Sequence, residues 1–192
     1  DLDTGTQQLL LVKQTPWSPG FSPDGKRIAF WLTPTPLIDD MYMLRRLHVM
    51  DLATGEVKRV GSSEGKVGVF KWSPNSQRIA FIAGRDTHDP KESSVFMADL
   101  SDQPNAVLTD KDYEGHIADV HWIDDESLIL ATNEGCEMGL VVQPAAGGAH
   151  VRMLPKGEGI WTKVSYSHSS SRMALIGNTA AHPSELFAYN AG

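Results

Sequence analysis

Short apolar runs separated by polar turns fill this chain, and several stay apolar at consecutive positions instead of alternating. RIAFWL (27–32), RIAFIA (78–83), LILA (128–131) and RMALIG (172–177) are the clearest. Runs of this length that are apolar at successive positions predict short strands buried on both faces. Each follows a polar turn, SPDGK, SPNSQ, IDDES or SHSSS, and each turn follows an aromatic residue: Phe21, Trp72, Trp122 and Tyr166. Pro-Asp-Gly sets one φ beside a residue that tolerates positive φ, as a tight reversal requires. No segment carries a sustained helical period bounded by caps.

The aromatic anchors recur every 44 to 51 residues, and FSPDGKRIAF returns almost intact as WSPNSQRIAF. Each unit reads as four strands. In the second unit these are VGVFKW (67–72), RIAFIA (78–83), SVFMADL (94–100) and AVLT (106–109). In the first, RRLHVMDL (45–52) and VKRV (57–60) close the unit around the hairpin turn ATGE, where glycine permits the reversal. Four-stranded units of this period, stacked so that each buries its faces on its neighbours, predict an all-β fold: a β-propeller segment of about four blades. The expected blades are 16–61, 66–110, 117–155 and 161–192, with an orphan fourth strand at 6–12. DLDTGTQQLLLV aligns with DLATGEVKRV, so residue 1 falls at the end of a third strand, and SELFAYNAG (184–192) ends another. Either the two ends pair and close a four-bladed ring, or the chain is a portion of a longer propeller; four blades lie at the lower limit for a ring, so the portion is expected. Such a segment exposes blade faces and strand edges that expect neighbours, and self-association through them follows.

Composition narrows the function classes. The 192 residues are 41% hydrophobic and 21% charged, as in ordinary globular domains, which argues against disorder. A net charge of -7 disfavours a phosphate-tracking surface, so no nucleic-acid partner is expected. No apolar run approaches the roughly 20 residues of a spanning helix, and no membrane partner is expected. The N-terminus lacks the layout of a signal peptide. One cysteine, Cys136, allows no internal disulfide and leaves cytosol and periplasm equally open.

SPDGKRIAF, SPNSQRIAF, MDLATGEVKRV and, above all, NTAAHPSELFAYNAG resemble the propeller of prolyl oligopeptidase-type serine peptidases, in the acylaminoacyl-peptidase and dipeptidyl-peptidase branches. SPDG…IAF is also similar to the propeller of TolB-like proteins. WD-repeat propellers fit worse, because the third strands end in Met-Asp or Ala-Asp (Asp51, Asp99). The resemblance implies a non-catalytic propeller that gates access to an α/β-hydrolase domain and positions peptide substrate over it. It implies no cofactor, and it places none of the catalytic triad in these residues. The rival it implies is a TolB-like propeller that binds a protein partner without enzymatic activity.

Several constellations look chemical and read better as structure. Gly61-Ser62-Ser63-Glu64-Gly65 satisfies G-x-S-x-G, but a nucleophile elbow needs a helix after the serine, and KVGVFKW predicts a strand. His116 and His121 are five apart on a predicted strand and so expected on opposite faces, poor geometry for a metal. Asp1-x-Asp3-x-Gly5 lacks most oxygen ligands of a calcium loop and aligns with the ATGE turn. Cys136 has no basic sequence context to activate it. A sugar-acid lyase on a propeller would need a metal-binding His cluster, which these residues do not assemble. No catalytic and no metal-binding residue is assigned.

The long segments TPTPLIDDMYMLRR (33–46) and GRDTHDPKE (84–92) both connect a second strand to a third. Strand parity sends connections after strands two and four to one rim of the propeller and the short turns to the other. Binding residues concentrate on loops over a rigid scaffold. The candidates for substrate or inter-domain contact are thus Asp39, Asp40, Arg45, Arg46, Arg85, Asp86 and His88. Leu37, Ile38, Met41, Tyr42 and Met43 form either a docking patch or a cover for their own blade.

Overall fold

The computed structural model describes residues 5, 9–10, 15–61, 63–88, 92–101, 106–108, 113, 115–154, 157 and 159–190. Apolar strands joined by tight turns pair antiparallel into four sheets. Blade 1 is β1 (Thr15–Phe21), β2 (Arg27–Thr33), β3 (Arg46–Asp51) and β4 (Val57–Arg59), in that spatial order. A short helix, α1 (Ile38–Met43), sits between its second and third strands. Blade 2 is β5 (Val67–Trp72), β6 (Arg78–Gly84), β7 (Ser93–Asp99) and β8 (Ala106–Leu108). Blade 3 is β9 (His116–Trp122), β10 (Ser127–Glu134), β11 (Glu137–Pro144) and β12 (Val151–Leu154). Blade 4 holds three strands among the described residues: β13 (Ile160–Ser167), β14 (Arg172–Asn178) and β15 (Glu185–Asn190). The orphan strand expected at 6–12 falls largely outside the described residues.

The repeated decapeptide is a turn and the start of a second strand. Ser22 and Ser73 close it alike: Ser22 N–H donates to Arg27 O at 2.9 Å, and Ser73 N–H to Arg78 O at 2.8 Å. Asp24 Oδ1 accepts from Ser22 Oγ and Lys26 N, and Asn75 Oδ1 accepts from Ser73 Oγ and Gln77 N. Gly25 takes φ +70° in the first turn, and Ser76 takes φ 63° at its counterpart in the second. The turn of blade 3 closes one residue sooner, through Ile123 N–H to Ser127 O.

Register divides every blade into two apolar faces. On the face towards the next blade, Ala29 pairs with Val49 and Trp31 with Leu47; Ala80 pairs with Met97 and Ile82 with Val95. The opposite face of blade 2 carries Ile79 paired with Ala98 and Phe81 with Phe96. The forward four of blade 1 and the backward four of blade 2 are one buried cluster. There Phe81 lies edge-on to Trp31, centroids 6.0 Å apart, and stacks on Phe96 at 5.5 Å. Two further clusters join blade 2 to blade 3 and blade 3 to blade 4 in the same way. Full burial of each such side chain contributes about 1.5–3 kcal/mol, so the seams between blades hold the fold.

Polar side chains fasten the same seams at the turn rim. Arg27 Nη1 donates to Ser76 O at 3.0 Å, and Arg78 Nη2 donates to Asp125 O and reaches Glu126 Oε1 at 2.9 Å. Trp72 Nε1 donates to Gly20 O at 3.1 Å, and Trp122 Nε1 to Lys71 O at 2.9 Å. Thus the arginine and tryptophan of the repeat each reach into an adjoining blade. We expect Phe81→Ala to destabilise the chain by about 3–5 kcal/mol through the cavity it leaves at the first seam. Urea denaturation followed by tryptophan fluorescence checks this; a loss below about 1 kcal/mol would show that the seam is not the main support.

Candidate functional site: the long-loop rim

The antiparallel strand order puts residues 34–45 and 85–88 on the same rim, with linker residues 60–61 and 63–66 between them. Asp39 and Asp40 lie in the first turn of α1, where negative charge suits the helix N-terminus. Asp39 is exposed, while Asp40 Oδ2 accepts from Thr35 Oγ1 at 2.6 Å. α1 is too short to leave a periodic pattern in the sequence. It is closed by backbone bonds alone, Met41 N–H to Leu37 O and Leu44 N–H to Asp40 O.

The three candidate arginines bind carbonyls of other segments. Arg45 Nη2 donates to Val67 O at 2.9 Å, crossing from blade 1 to the first strand of blade 2. Arg46 donates to Met43 O and Arg45 O, and its Nη2 reaches Glu64 O at 3.3 Å. Burial pulls both guanidiniums below their usual range. Arg85 Nε donates to Ser94 Oγ at 2.7 Å and its Nη2 to Tyr113 O at 3.1 Å. Asp86 Oδ1 accepts from the backbone N–H of His88, whose side chain is exposed.

The linker brings the two loops together. Lys66 O accepts from Gly84 N–H at 2.8 Å, and Lys66 Nζ lies 5.9 Å from the centre of the Tyr42 ring. A Cβ on Gly65 would stand 2.3 Å from Asp86 O, so only glycine fits where linker and loop pass. This is the segment that satisfies G-x-S-x-G. It runs from β4 into β5, strand to strand, with Ser63 buried, and has no helix to expose a nucleophile. Leu37, Ile38 and Tyr42 are exposed on this rim, whereas Met41 and Met43 are half-buried.

The sequence reading missed two features. One is a polar cluster where blades 2 and 3 meet. Tyr113 Oη donates to Glu134 Oε1 at 2.6 Å, and Arg152 Nη2 bonds both carboxylate oxygens at 2.8 and 2.9 Å. Tyr113 also meets the His150 ring edge-on at 5.3 Å. The other is a hollow of about 340 Å³ in blade 4, lined in part by Trp161, Gly177, His182, Glu185 and Phe187. Its aromatic floor joins Trp161 to Phe187, edge-on at 5.3 Å. No local signal marks either feature, because each gathers residues far apart in sequence.

His116 and His121 require a correction. A bulge in β9 leaves Ala118 without a partner: Ile117 pairs with Thr132 and Asp119 with Ala131. His116 opposite Asn133 and His121 opposite Ile129 therefore share a face, not opposite faces. Their contacts differ all the same. His116 Nδ1 accepts from Ser93 N–H, and His121 Nε2 pairs with Asp119 Oδ2 at 3.1 Å. Burial opposes ionisation of Asp119, but the hydrogen bond and charge of His121 hold its carboxyl below the usual value. Among the described residues, no three His, Cys, Asp or Glu side chains gather as a metal site.

Burial pushes the Tyr113 hydroxyl well above its ordinary range, and the bond to Glu134 adds to this. The unfolded chain ionises first, so the stability Tyr113 contributes is fully present below about pH 10 and is lost as pH rises towards its folded-state value. We expect Tyr113→Phe to cost about 1–2 kcal/mol at pH 7 and less at about pH 10.5. Urea unfolding at both pH values measures this; a cost that grows with pH would refute the assignment.

No protein-family model matches the chain. Over 71 residues it is 41% identical to dipeptidyl-peptidase 5 of Porphyromonas gingivalis, a match covering 35% of this chain and 10% of that protein. An oligogalacturonate lyase in complex with manganese superposes on all of this chain and 55% of its own, with TM-score 0.76 and 14% identity. TolB from Acinetobacter baumannii matches 93% of this chain and 41% of its own, with TM-score 0.64 and 19% identity. A puromycin-hydrolysing peptidase of Mycobacterium tuberculosis matches 92% of this chain and 30% of its own, with TM-score 0.66 and 14% identity. The chain thus spans a tenth of its curated relative and about a third to a half of these structures. At such identities the structural likeness is one of fold. The chain is a β-propeller segment whose structural neighbours include TolB and a puromycin-hydrolysing peptidase.

Proposed function

We propose that this chain is the non-catalytic propeller portion of a serine peptidase of the prolyl oligopeptidase type. In this reading it gates access to an α/β-hydrolase domain elsewhere in the protein and positions short peptide substrates over it. The observation that carries the reading is the 41% identity to a dipeptidyl-peptidase over 71 residues. The long-loop rim supports it physically. Its apolar residues Leu37, which caps α1, and Ile38 and Tyr42 on α1 stand in solvent beside the exposed Asp39 and offer a docking surface for the hydrolase domain. Asp39, Asp40, Arg45, Arg46, Arg85, Asp86 and His88 are assigned to substrate or inter-domain contact. Arg45, Arg46 and Arg85 serve this role by fixing the loops to neighbouring segments, which leaves Asp39 and His88 as the exposed charged or titratable side chains of the set. Nucleophile, base and orienting acid would come from the hydrolase domain.

A second reading, a TolB-like protein-binding propeller without enzymatic activity, is favoured by the match to TolB over 93% of the chain. One experiment separates the two. The polypeptide carrying this sequence is isolated from its native source, weighed intact and treated with a serine-directed fluorophosphonate. We expect a mass well above 21.0 kDa and covalent labelling at a serine outside these residues. An unlabelled polypeptide of any mass, with the reagent shown to be active on a control peptidase, would refute the peptidase reading and favour a binding propeller.

A further inference from the structure

Where each third strand begins, at the long-loop rim, blades 1 to 3 share an arrangement that blade 4 breaks. The sixth residue of each second strand, Leu32, Ala83, Thr132 or Gly177, pairs with Arg46, Ser94, Gly139 or Glu185 in turn. In blades 1 to 3 a guanidinium of the chain occupies that place. Arg46 is itself the paired residue and donates to Met43 O and Arg45 O. Arg85 Nε donates to Ser94 Oγ at 2.7 Å. Arg152, bound to Glu134, lays Nη1 where a side chain on Gly139 would stand. Blade 4 puts a carboxylate there instead. Glu185 is exposed and has no ion-pair or hydrogen-bond partner among the described residues.

Beside that carboxylate lies the hollow of about 340 Å³ floored by Trp161 and Phe187. A Cβ on Gly177 would stand 2.5 Å from Trp161 Cε3, so the indole lies against bare backbone. Glu185 and Phe187 share the face of Leu175, which packs on blade 3 with Trp161. The hollow therefore lies on the seam side of blade 4. Its loop wall is preformed. Thr179 and His182 exchange backbone hydrogen bonds, and Thr179 Oγ1 accepts from the N–H groups of Ala181 and His182.

We propose that this hollow binds the arginine side chain of a peptide. The Glu185 carboxylate takes the guanidinium, whose fork of N–H donors matches two carboxylate oxygens. The Phe187 ring, 39% exposed, and the indole beneath it attract the cation and cover its methylene stem. A planar guanidinium fits both partners better than a compact ammonium does, which selects arginine over lysine. The chain's own use of guanidinium at the three equivalent places points the same way. The inference rests on blade 4 and not on the peptidase reading, so either can fail alone.

Calorimetric titration of the whole polypeptide that carries this sequence tests it. The probe is acetyl-Gly-Arg-Gly-amide, whose blocked ends leave the guanidinium as its only charge. The same peptide with citrulline keeps the shape and removes the charge. We expect the arginine peptide to bind at least about tenfold more tightly than the citrulline peptide. Glu185→Gln should abolish that preference, and Phe187→Ala should weaken arginine binding about threefold or more. Glu185 is exposed, so circular dichroism of Glu185→Gln should be unchanged. If Phe187→Ala loses its fold, Glu185→Gln decides the question. No arginine-peptide binding at about 1 mM, equal affinity for the two peptides, or a preference that Glu185→Gln leaves intact overturns the proposal. Agmatine binding as tightly as the arginine peptide would overturn the assignment to a peptide, since a free guanidinium compound would then suffice.

Discussion

A sheet that is apolar on both faces cannot be satisfied within its own blade, and everything else in this structure follows from that constraint. Each second strand packs its odd and even residues against different neighbours: Ile79 and Phe81 look back to blade 1, and Ala80 and Ile82 look on to blade 3. Burial is non-directional, so the apolar seats favour contact without fixing how one sheet is turned against the next. The direction comes from hydrogen bonds at the rims.

Those bonds form two sets with different consequences. At the turn rim they repeat with the sequence, Arg27 and Arg78 forwards, Trp72 and Trp122 backwards. At the long-loop rim they are individual: Arg45 to Val67 O, Arg46 to Glu64 O, Arg85 to Tyr113 O, and Tyr113 with Arg152 on Glu134. A guanidinium that holds a carbonyl of the neighbouring segment fixes the loop it belongs to. This rim is therefore a braced surface that displays α1, His88 and the hollow floored by Trp161 and Phe187. Rigid support with individual loops is the arrangement on which propellers build recognition.

The same fold carries a lyase, a TolB and peptidases among its neighbours, so the architecture does not choose the activity. What distinguishes this chain is the stretch it shares with a dipeptidyl-peptidase and the composition of its long-loop rim. Candidate catalytic patterns within the chain dissolve once their surroundings are seen. The G-x-S-x-G serine is buried between two strands, and Cys136 stands alone at the exposed tip of a hairpin.

The strands and turns were legible in the sequence, because they depend on neighbours one to five residues away. The expected strand 67–72 is β5 to the residue, and the Asp24 and Asn75 turns close through side chains within their own pentapeptides. The seven candidate residues were placed on the right rim by strand parity alone, but what their side chains touch was not legible. Arg27, Arg78, Arg45 and Arg85 look like solvated charge until the neighbouring segment arrives. The shared face of His116 and His121 was decided by a bulge, which is a relation between β9 and β10 and not a property of either. Sequence by itself fixes what a chain does with its own next few residues: here, the period, the turns and the two-faced strands. Which carbonyl an arginine finds, and which histidines share a face, depend on the register and seating of strands tens of residues apart, and only the packed blades supply that.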